Sequence, residues 1–277
     1  RLPALGRPTW VEIDLDAVAA NVRAIAKLVA PAEVLAVLKA DGYGHGAIPV
    51  SRAALGSGAD CLAVAIPEEG MELRAEGIEC PVLVLGLIQP GEASKTVTAG
   101  LEQTVCSVEL LEALDRESGK HGSRTSVHLK VDTGMGRIGL APGDVVEFAR
   151  RVVSCPNIAL KGIYSHFSCA DERDKEFSHV QIRRFTDVLA ALSAAAIVVP
   201  VRHMANSAGV LDLPEAHFDL VRPGIMIYGL YPSADVSHSV ELRPAMSFMR
   251  VAKLVNTLAC RPASRGRPSS SACGVSR

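Results

Sequence analysis

Eight short apolar runs recur along the chain between longer stretches of helical periodicity, and this alternation constrains the fold more than any other feature. The runs lack polar alternation, which is typical of strands buried on both faces of a parallel sheet. Their spacing indicates repeated strand–helix–strand units. They lie at residues 33–39, 61–65, 81–86, 103–106, 126–132, 158–166, 201–206 and 218–224. We therefore predict a closed (β/α)8 TIM barrel, in the α/β class, rather than an open doubly wound sheet.

Residues 15–30 and 47–59 repeat apolar side chains at steps of three and four, which predicts helices that cover the outside of the barrel. The sequence WVEIDL at 10–15 predicts one additional strand before the first helix. Asp14 or Asp16 would cap that helix. The additional strand has no obvious partner within the barrel.

The charge balance points to a small-molecule partner. Twenty-nine basic and thirty acidic residues give a net charge of -1, which favours neither nucleic acid nor an anionic membrane. The longest apolar run, near 194–201, is interrupted by Pro200 and falls short of the roughly 18 residues that a membrane span requires. Seven cysteines show neither C-x-x-C spacing nor clustering with histidine. We predict a cytoplasmic protein without a metal site.

Lys39 is the first candidate catalytic residue. It ends the first apolar run and precedes the glycine-rich segment ADGYGHG. Reactive groups of TIM barrels lie at the carboxyl ends of strands. A lysine in low-dielectric surroundings loses its proton more readily, as a Schiff base requires. The alternative is a lysine that merely extends its charge from a strand end to solvent.

Five segments together resemble the alanine racemase family. VLKADGYGHG (37–46) resembles its cofactor-lysine motif, and the other four follow in the family's order and spacing: HLKVDTGMGRIG (128–139), YSHFSCAD (164–171), HMANSAG (203–209) and DLVRPGIMIYG (219–229). The resemblance covers about residues 8 to 255. It implies a fold-type III enzyme that carries pyridoxal 5'-phosphate on Lys39 and interconverts L- and D-alanine. It also implies a cytoplasmic homodimer whose D-alanine supplies peptidoglycan.

The resemblance places the cofactor phosphate near the last two barrel strands. It implies contacts from the Tyr43 hydroxyl, from Asn206 and Ser207, and from the main-chain N–H groups of Gly224 and Ile225. Loops after the seventh and eighth strands of TIM barrels commonly hold phosphate. Local sequence alone also allows ordinary turn chemistry at each of these positions.

Arg222 carries the expectation about reaction type. In the family that it resembles, an arginine here bonds the pyridine nitrogen, and because a guanidinium keeps its proton, that nitrogen stays unprotonated. The resulting weak electron sink favours racemisation over decarboxylation or transamination. By the same resemblance His203 would hold Arg222 in place. Local sequence leaves open an ion pair of Arg222 with Asp219 or Asp212.

Three more residues take roles from the resemblance. Arg137 would face the cofactor's phenolic oxygen and orient the substrate carboxylate, and Lys130 would be a carbamylated lysine that positions Arg137. His166 would lie against the cofactor ring, although a lone histidine is more often a core residue. An acidic cluster is interpreted as solvated surface: Asp171, Glu172 and Asp174.

We expect a barrel domain at 8–242 and, at 243–277, the start of a C-terminal β-domain followed by a disordered tail. From Asn256 onward the sequence has neither acidic nor aromatic residues nor periodicity. The resemblance implies a β-domain that pairs with strand 10–15 and contributes a tyrosine as second base across the dimer. Since the match fades after RPAMSFMRVAKLVNTL, we expect racemase activity to be impaired.

Three other functions remain open on the sequence. A non-catalytic, single-barrel protein of pyridoxal-phosphate homeostasis would need no second domain. A racemase for another amino acid would share the barrel motifs. A barrel-type decarboxylase would need a carboxylate at the pyridine nitrogen, where DLVRPG offers an arginine.

Overall fold

Eight parallel strands close into a barrel in the computed structural model, which describes residues 9–250. In chain order the strands are β1 Thr9–Ile13, β2 Glu33–Val37, β3 Cys61–Val64, β4 Val82–Val84, β5 Glu102–Val105, β6 Thr125–Lys130, β7 Ile158–Tyr164, β8 Val201–His203, β9 Leu220–Val221 and β10 Met246–Arg250. Strands β2 to β9 form the barrel, which closes where Val34 of β2 pairs with Val221 of β9. Each predicted run overlaps one barrel strand, so the TIM barrel is confirmed.

Helices follow the barrel strands. They are α1 Leu15–Val29, α2 Lys39–Gly44, α3 Ala47–Leu55, α4 Pro67–Ala75, α5 Ala93–Thr98, α6 Val108–Lys120, α7 Val145–Ser154, α8 Glu176–Ala194 and α9 Ser207–Asp212. The Asp14 side chain caps α1 by accepting a hydrogen bond from the Ala17 N–H at 2.9 Å, so Asp14 rather than Asp16 is the cap. The helix predicted at 47–59 ends at Leu55, because the following segment turns through Gly58 at a φ of +107°.

The barrel interior is divided into an apolar half and a polar half. A buried apolar cluster comes from β2, β3, β4 and β9: Leu35, Val37, Ala63, Leu83 and Leu220. The strands β5 to β8 instead carry buried polar side chains: Thr104, His128, Lys130, Tyr164 and His203. Branched apolar side chains usually fill such interiors. A polar interior is costly unless its groups are hydrogen-bonded, which marks this half as functional.

The strand predicted before the first helix forms as β1. It pairs with β10 in a separate two-stranded sheet, a partner that the sequence pattern did not reveal. Residues 13–247 make up the compact unit that contains the barrel, and residues 9–12 and 248–250 belong to a second unit. The predicted tail from Asn256 lies outside the described residues, and the predicted boundary at 242/243 stays a prediction. Within residues 9–250 no helix combines the length and apolar character that crossing a membrane demands.

Candidate active site

One cavity of about 670 Å³ brings the predicted site residues together, a volume typical of small-molecule sites. It lies where the barrel strands end. All ten candidates contribute to its lining: Lys39, Tyr43, Lys130, Arg137, His166, Asn206, Ser207, Arg222, Gly224 and Ile225. Side chains that are far apart in sequence therefore face a common space.

Lys39 lies two residues after the end of β2 and begins α2, a short segment whose backbone forms a left-handed turn. Ala40, Asp41, Gly42 and Tyr43 have φ values of 54°, 52°, 61° and 54°. For residues with a side chain this left-handed conformation costs roughly 1–2 kcal/mol each. Consecutive strain of this kind persists only where the surrounding structure enforces it, and it concentrates at functional sites.

Two carboxylates hold this left-handed turn in place. Glu69 in the first turn of α4 accepts hydrogen bonds from the Ala40 N–H at 2.7 Å and from the Ala65 N–H at 2.6 Å. Asp41 accepts one from the Ala47 N–H at 2.7 Å. Glu69 therefore ties the residue after Lys39 to the end of β3, which positions the lysine.

Replacing Glu69 by glutamine should lower the free energy of unfolding by about 1–2 kcal/mol, because one of the two N–H groups would lose a charged acceptor. The neighbouring Glu68→Gln is a matched control. Glu68 pairs with Lys95 on the surface, at side-chain exposures of 46% and 38%, and such pairs contribute little. Urea unfolding of both variants measures the difference. Equal stability of the two variants would show that Glu69 does not hold the turn.

The Lys39 side chain is exposed, and its Nζ lies 5.6 Å from the centre of the Tyr43 ring. The low-dielectric surroundings expected from the sequence are therefore not supplied by the described residues. The lysine reaches the cavity from its rim.

Ser207 and Gly224 form one wall of the cavity. The Ser207 Oγ accepts a hydrogen bond from the Gly224 N–H at 3.0 Å, which leaves its O–H proton free to donate. A Cβ at position 224 would lie 2.7 Å from the Tyr43 hydroxyl, so only glycine permits this approach. The Ile225 N–H has no acceptor among residues 9–250. Asn206 is the cap of α9, where its Oδ1 accepts from the Gly209 N–H at 3.0 Å.

Arg222 is buried, with 4% of its surface exposed. Its Nη2 donates to the Ser165 carbonyl at 2.7 Å and to the Met204 carbonyl at 3.1 Å, and its Nη1 donates to His203 Nδ1 at 3.0 Å. Burial lowers the pKa of Arg222 to about 10, so the guanidinium stays protonated near neutral pH. Its Nε–H has no acceptor among the described residues.

The ion pair that local sequence allowed for Arg222 is absent from the described part of the chain. Asp219 pairs with Arg202 at 2.6 Å, and Asp212 pairs with Lys175 at 2.8 Å. A buried cation without a carboxylate partner is available to an acceptor in the cavity.

Lys130 and His166 both lie beside Arg222. Burial, and after it the charge of Arg222, lowers the pKa of Lys130 to about 7. His166 Nδ1 lies 3.2 Å from Arg222 Nη2, where it can share one of the two N–H donors with a carbonyl. Burial and the neighbouring cations hold the pKa of His166 well below its usual range, so its ring is neutral. Arg137 is exposed and makes no hydrogen bond within the described residues.

Tyr164 lines the cavity and was not identified by the sequence analysis, although it begins the YSHFSCAD motif. Lys130 Nζ lies 4.8 Å from the ring centre, and the Arg222 guanidinium carbon lies 4.9 Å from it. The ring stacks on His203 at 4.7 Å, and its hydroxyl bonds to Thr104 at 2.8 Å. Burial raises the pKa of Tyr164 to about 12, so it presents a neutral ring to the two cations.

Asp171 corrects the interpretation of the acidic cluster. It is exposed, as predicted, but it also lines the cavity. Glu172 and Asp174 do not contribute to the lining. The loop after β7 thus brings Asp171 to the cavity, which its position among charged neighbours in the sequence does not indicate.

The barrel and its cavity define a class of protein, an α/β-barrel enzyme with a lysine at the first strand end and a wall of hydrogen-bond donors after the last two strands. The sequence profile described as "Alanine racemase, N-terminal domain" matches residues 13–232. The chain belongs to the alanine racemase family.

Relatives and solved structures agree with this assignment. An alanine racemase of Symbiobacterium thermophilum is 45% identical over 252 residues, which cover 91% of this chain and 67% of that protein. One of Desulfosudis oleivorans is 47% identical over 257 residues, with coverages of 88% and 66%. The structure of the Clostridium difficile 630 enzyme in complex with cycloserine superposes with a TM-score of 0.84 at 35% identity, covering 88% of this chain and 68% of that one. The chain thus spans about two thirds of the length of its relatives.

The family depends on pyridoxal 5'-phosphate, and the cavity fits that group. The Ile225 N–H and the Ser207 O–H are donors without a partner in the described residues, and the glycine at 224 lets the Tyr43 hydroxyl approach this wall closely. The free Nε–H of Arg222 suits a ring nitrogen that accepts a hydrogen bond. A primary amine stands at Lys39.

Proposed function

We propose that this chain binds pyridoxal 5'-phosphate through Lys39 and interconverts L- and D-alanine. The observation that carries the proposal is the single cavity in which the Lys39 amine, the buried Arg222 and the wall of Ser207, Gly224 and Ile225 come together. When bound, the cofactor supplies an aldehyde for attachment and a ring that withdraws electrons from the amino acid.

Lys39 has two roles in this proposal. Its Nζ would hold the cofactor covalently, and as a free amine it would accept or return the proton at the alanine α-carbon from one face. The turn fixed by Glu69 keeps it in reach.

Arg222 directs the outcome toward proton return. Its guanidinium keeps its proton, so a ring nitrogen that it faces remains an acceptor and does not become cationic. The electron sink stays weak, which favours return of the proton to the α-carbon over loss of carbon dioxide or of the amino group. His203 and the carbonyls of Ser165 and Met204 hold the guanidinium in place.

Lys130 is proposed to react with carbon dioxide to form a carbamate, releasing one proton. The resulting anion would neutralise part of the positive charge of Arg137 and Arg222 and orient Arg137 toward the substrate carboxylate. Only a neutral amine attacks carbon dioxide, and the pKa of about 7 makes Lys130 neutral at a pH where other lysines are charged.

The carbamate signal should therefore be weak below pH 7 and should increase as the pH rises through that value. The 13C NMR spectrum of the chain in 13C-bicarbonate measures it, and Lys130→Met is the control that should lose the resonance. A resonance that persists in Lys130→Met would place the adduct on a different lysine.

The function itself is tested with added pyridoxal phosphate and several L-amino acids. We expect a visible absorption band and the fastest loss of optical purity with alanine. Cofactor binding without turnover of any amino acid would favour a non-catalytic binding protein. Faster conversion of serine or a basic amino acid would favour a racemase of that substrate.

We further propose that the active form is a cytoplasmic homodimer whose D-alanine supplies peptidoglycan. Apolar side chains at the barrel mouth support a partner there, since Ile66 and Leu87 are exposed by 48% and 43% and Leu87 borders the cavity. The five cysteines of the described residues are free thiols, which suits a reducing compartment. Light scattering of the loaded chain measures the oligomeric state.

A further inference from the structure

A row of hydrogen bonds crosses the polar half of the barrel from Arg222 to Glu102. Arg222 Nη1 lies 3.0 Å from His203 Nδ1, and His203 Nε2 lies 2.9 Å from His128 Nδ1. His128 Nε2 in turn lies 3.0 Å from Glu102 Oε2. Both histidines are fully enclosed, at exposures of 0% and 2%. The row begins in the cavity and ends at the first residue of β5, at the opposite end of the barrel.

The direction of each bond follows from the two ends. A guanidinium can only donate, so His203 Nδ1 accepts and its proton lies on Nε2. That N–H donates to His128 Nδ1, and the remaining proton of His128 lies on Nε2 and donates to Glu102. Burial lowers the pKa of both histidines, so both rings are neutral. An ionised carboxylate can only accept, so Glu102 fixes the tautomer of His128 and, through His128, the tautomer of His203.

Glu102 is held in its ionised form. Burial alone would raise its pKa, but the hydrogen bonds that it accepts from His128 and Lys161, together with the charge of Lys161, outweigh burial and lower it. Lys161 donates to the other carboxylate oxygen. The lysine reaches it because the register of β6 and β7 shifts between Val127 and His128, so that Lys161 is an extra residue in β7. Bulges of this kind redirect side chains.

Gly162 provides the room for the His128 ring. A Cβ at this position would lie 2.3 Å from His128 Nδ1 and 2.6 Å from its Cε1. The glycine and the bulge stand next to each other on the same strand, and both serve the same row of side chains. A row that needs a bulge, a glycine and a buried carboxylate is a specific arrangement of the fold.

We propose that Glu102 and His128 are positioning residues for the reaction, acting through His203 on Arg222. The carboxylate at the far end of the barrel fixes the tautomers that keep His203 Nδ1 an acceptor, and thereby fixes the guanidinium in the cavity. With an amide at position 102 the row could run in either direction, and a proton on His203 Nδ1 would face the Arg222 N–H. The role of Arg222 in the reaction rests on the proposed function, whereas the assignment of the two histidine tautomers does not.

The cofactor-free chain, labelled with 15N in its histidine rings, tests the row directly. Long-range 1H–15N spectra show which ring nitrogen carries the proton. We expect the proton on Nε2 in both His128 and His203 of the wild type. A proton on Nδ1 of either ring would overturn the proposal without any variant.

Glu102→Gln is the variant that tests the consequence. We expect His203 to lose its single tautomer and kcat of the loaded protein to fall about tenfold or more, with a smaller change in KM, since the weakened bond is to a charged group. Glu117→Gln is the matched control, because Glu117 pairs with Lys120 on the surface of α6. An unchanged His203 tautomer with wild-type kcat in Glu102→Gln would overturn the proposal. If the wild type racemises no amino acid, the proposed function fails while the spectra still decide the row.

Discussion

Replacing Lys39 with alanine should abolish covalent attachment of pyridoxal phosphate and reduce racemisation by at least about 10²–10⁴-fold, the usual effect of losing one positioned acid–base group. The barrel should remain folded, because the exposed side chain contributes no core packing. Borohydride reduction followed by peptide mapping measures the attachment, and the circular dichroism spectrum checks the fold.

The structure makes this test selective, because a second lysine lines the same cavity. Lys130 is buried and has a pKa of about 7, so its amine loses its proton at a lower pH than an ordinary lysine side chain does. Its Nζ, however, lies over the Tyr164 ring, deep beside Arg222. We expect the reduced adduct on Lys39 alone. An adduct on Lys130, or one that survives in Lys39→Ala, would contradict the assignment.

Replacing Arg222 with glutamate should change both stability and reaction outcome. The carbonyls of Ser165 and Met204 would lose their donor, and a carboxylate would be buried beside them, so we expect a loss of about 3–5 kcal/mol in the free energy of unfolding. A carboxylate facing the ring nitrogen would favour its protonation and strengthen the electron sink. The ratio of keto acid to racemised amino acid should therefore rise.

Arg222→Lys provides the comparison for this variant. It keeps the positive charge but loses the planar fork that reaches two carbonyls and His203, so it should lose stability without raising the keto acid ratio. Urea unfolding and chromatographic product analysis measure the two effects. An unchanged product ratio in Arg222→Glu would show that the residue does not set the electronic character of the site.

The barrel could be predicted because its signal is local. Strands buried on both faces must be apolar at successive positions, and each of the eight runs overlaps one strand. The strand ends were less predictable. The run at 218–224 contains only the two-residue strand β9, since a strand ends where its neighbours no longer supply hydrogen-bond partners. The partner of β1 was also unpredictable from local sequence, because β1 pairs with β10, which lies at the other end of the described chain.

The surroundings of the two cavity lysines were predicted less well. Both stand at strand ends, and the sequence suggested an enclosed Lys39. Lys39 is exposed, whereas only 3% of the surface of Lys130 is exposed. Burial depends on the elements that cover a residue, and Lys130 lies in the polar interior beside the Tyr164 ring. Burial is also the main reason that the pKa of Lys130 falls to about 7.

The sequence by itself determined the order of elements, the closed parallel barrel and the gathering of polar residues at one end, because parallel strands all present their carboxyl ends on the same side. Only the tertiary structure decided which of these residues touch. Asp219 and Asp212 lie near Arg222 in sequence, yet they form ion pairs with Arg202 and Lys175. The partners of Arg222 come from other strands, as the row through His203 and His128 shows. A hydrogen bond requires approach to about 3 Å, and across a barrel that distance is set by strand register and closure, which no local stretch of sequence specifies.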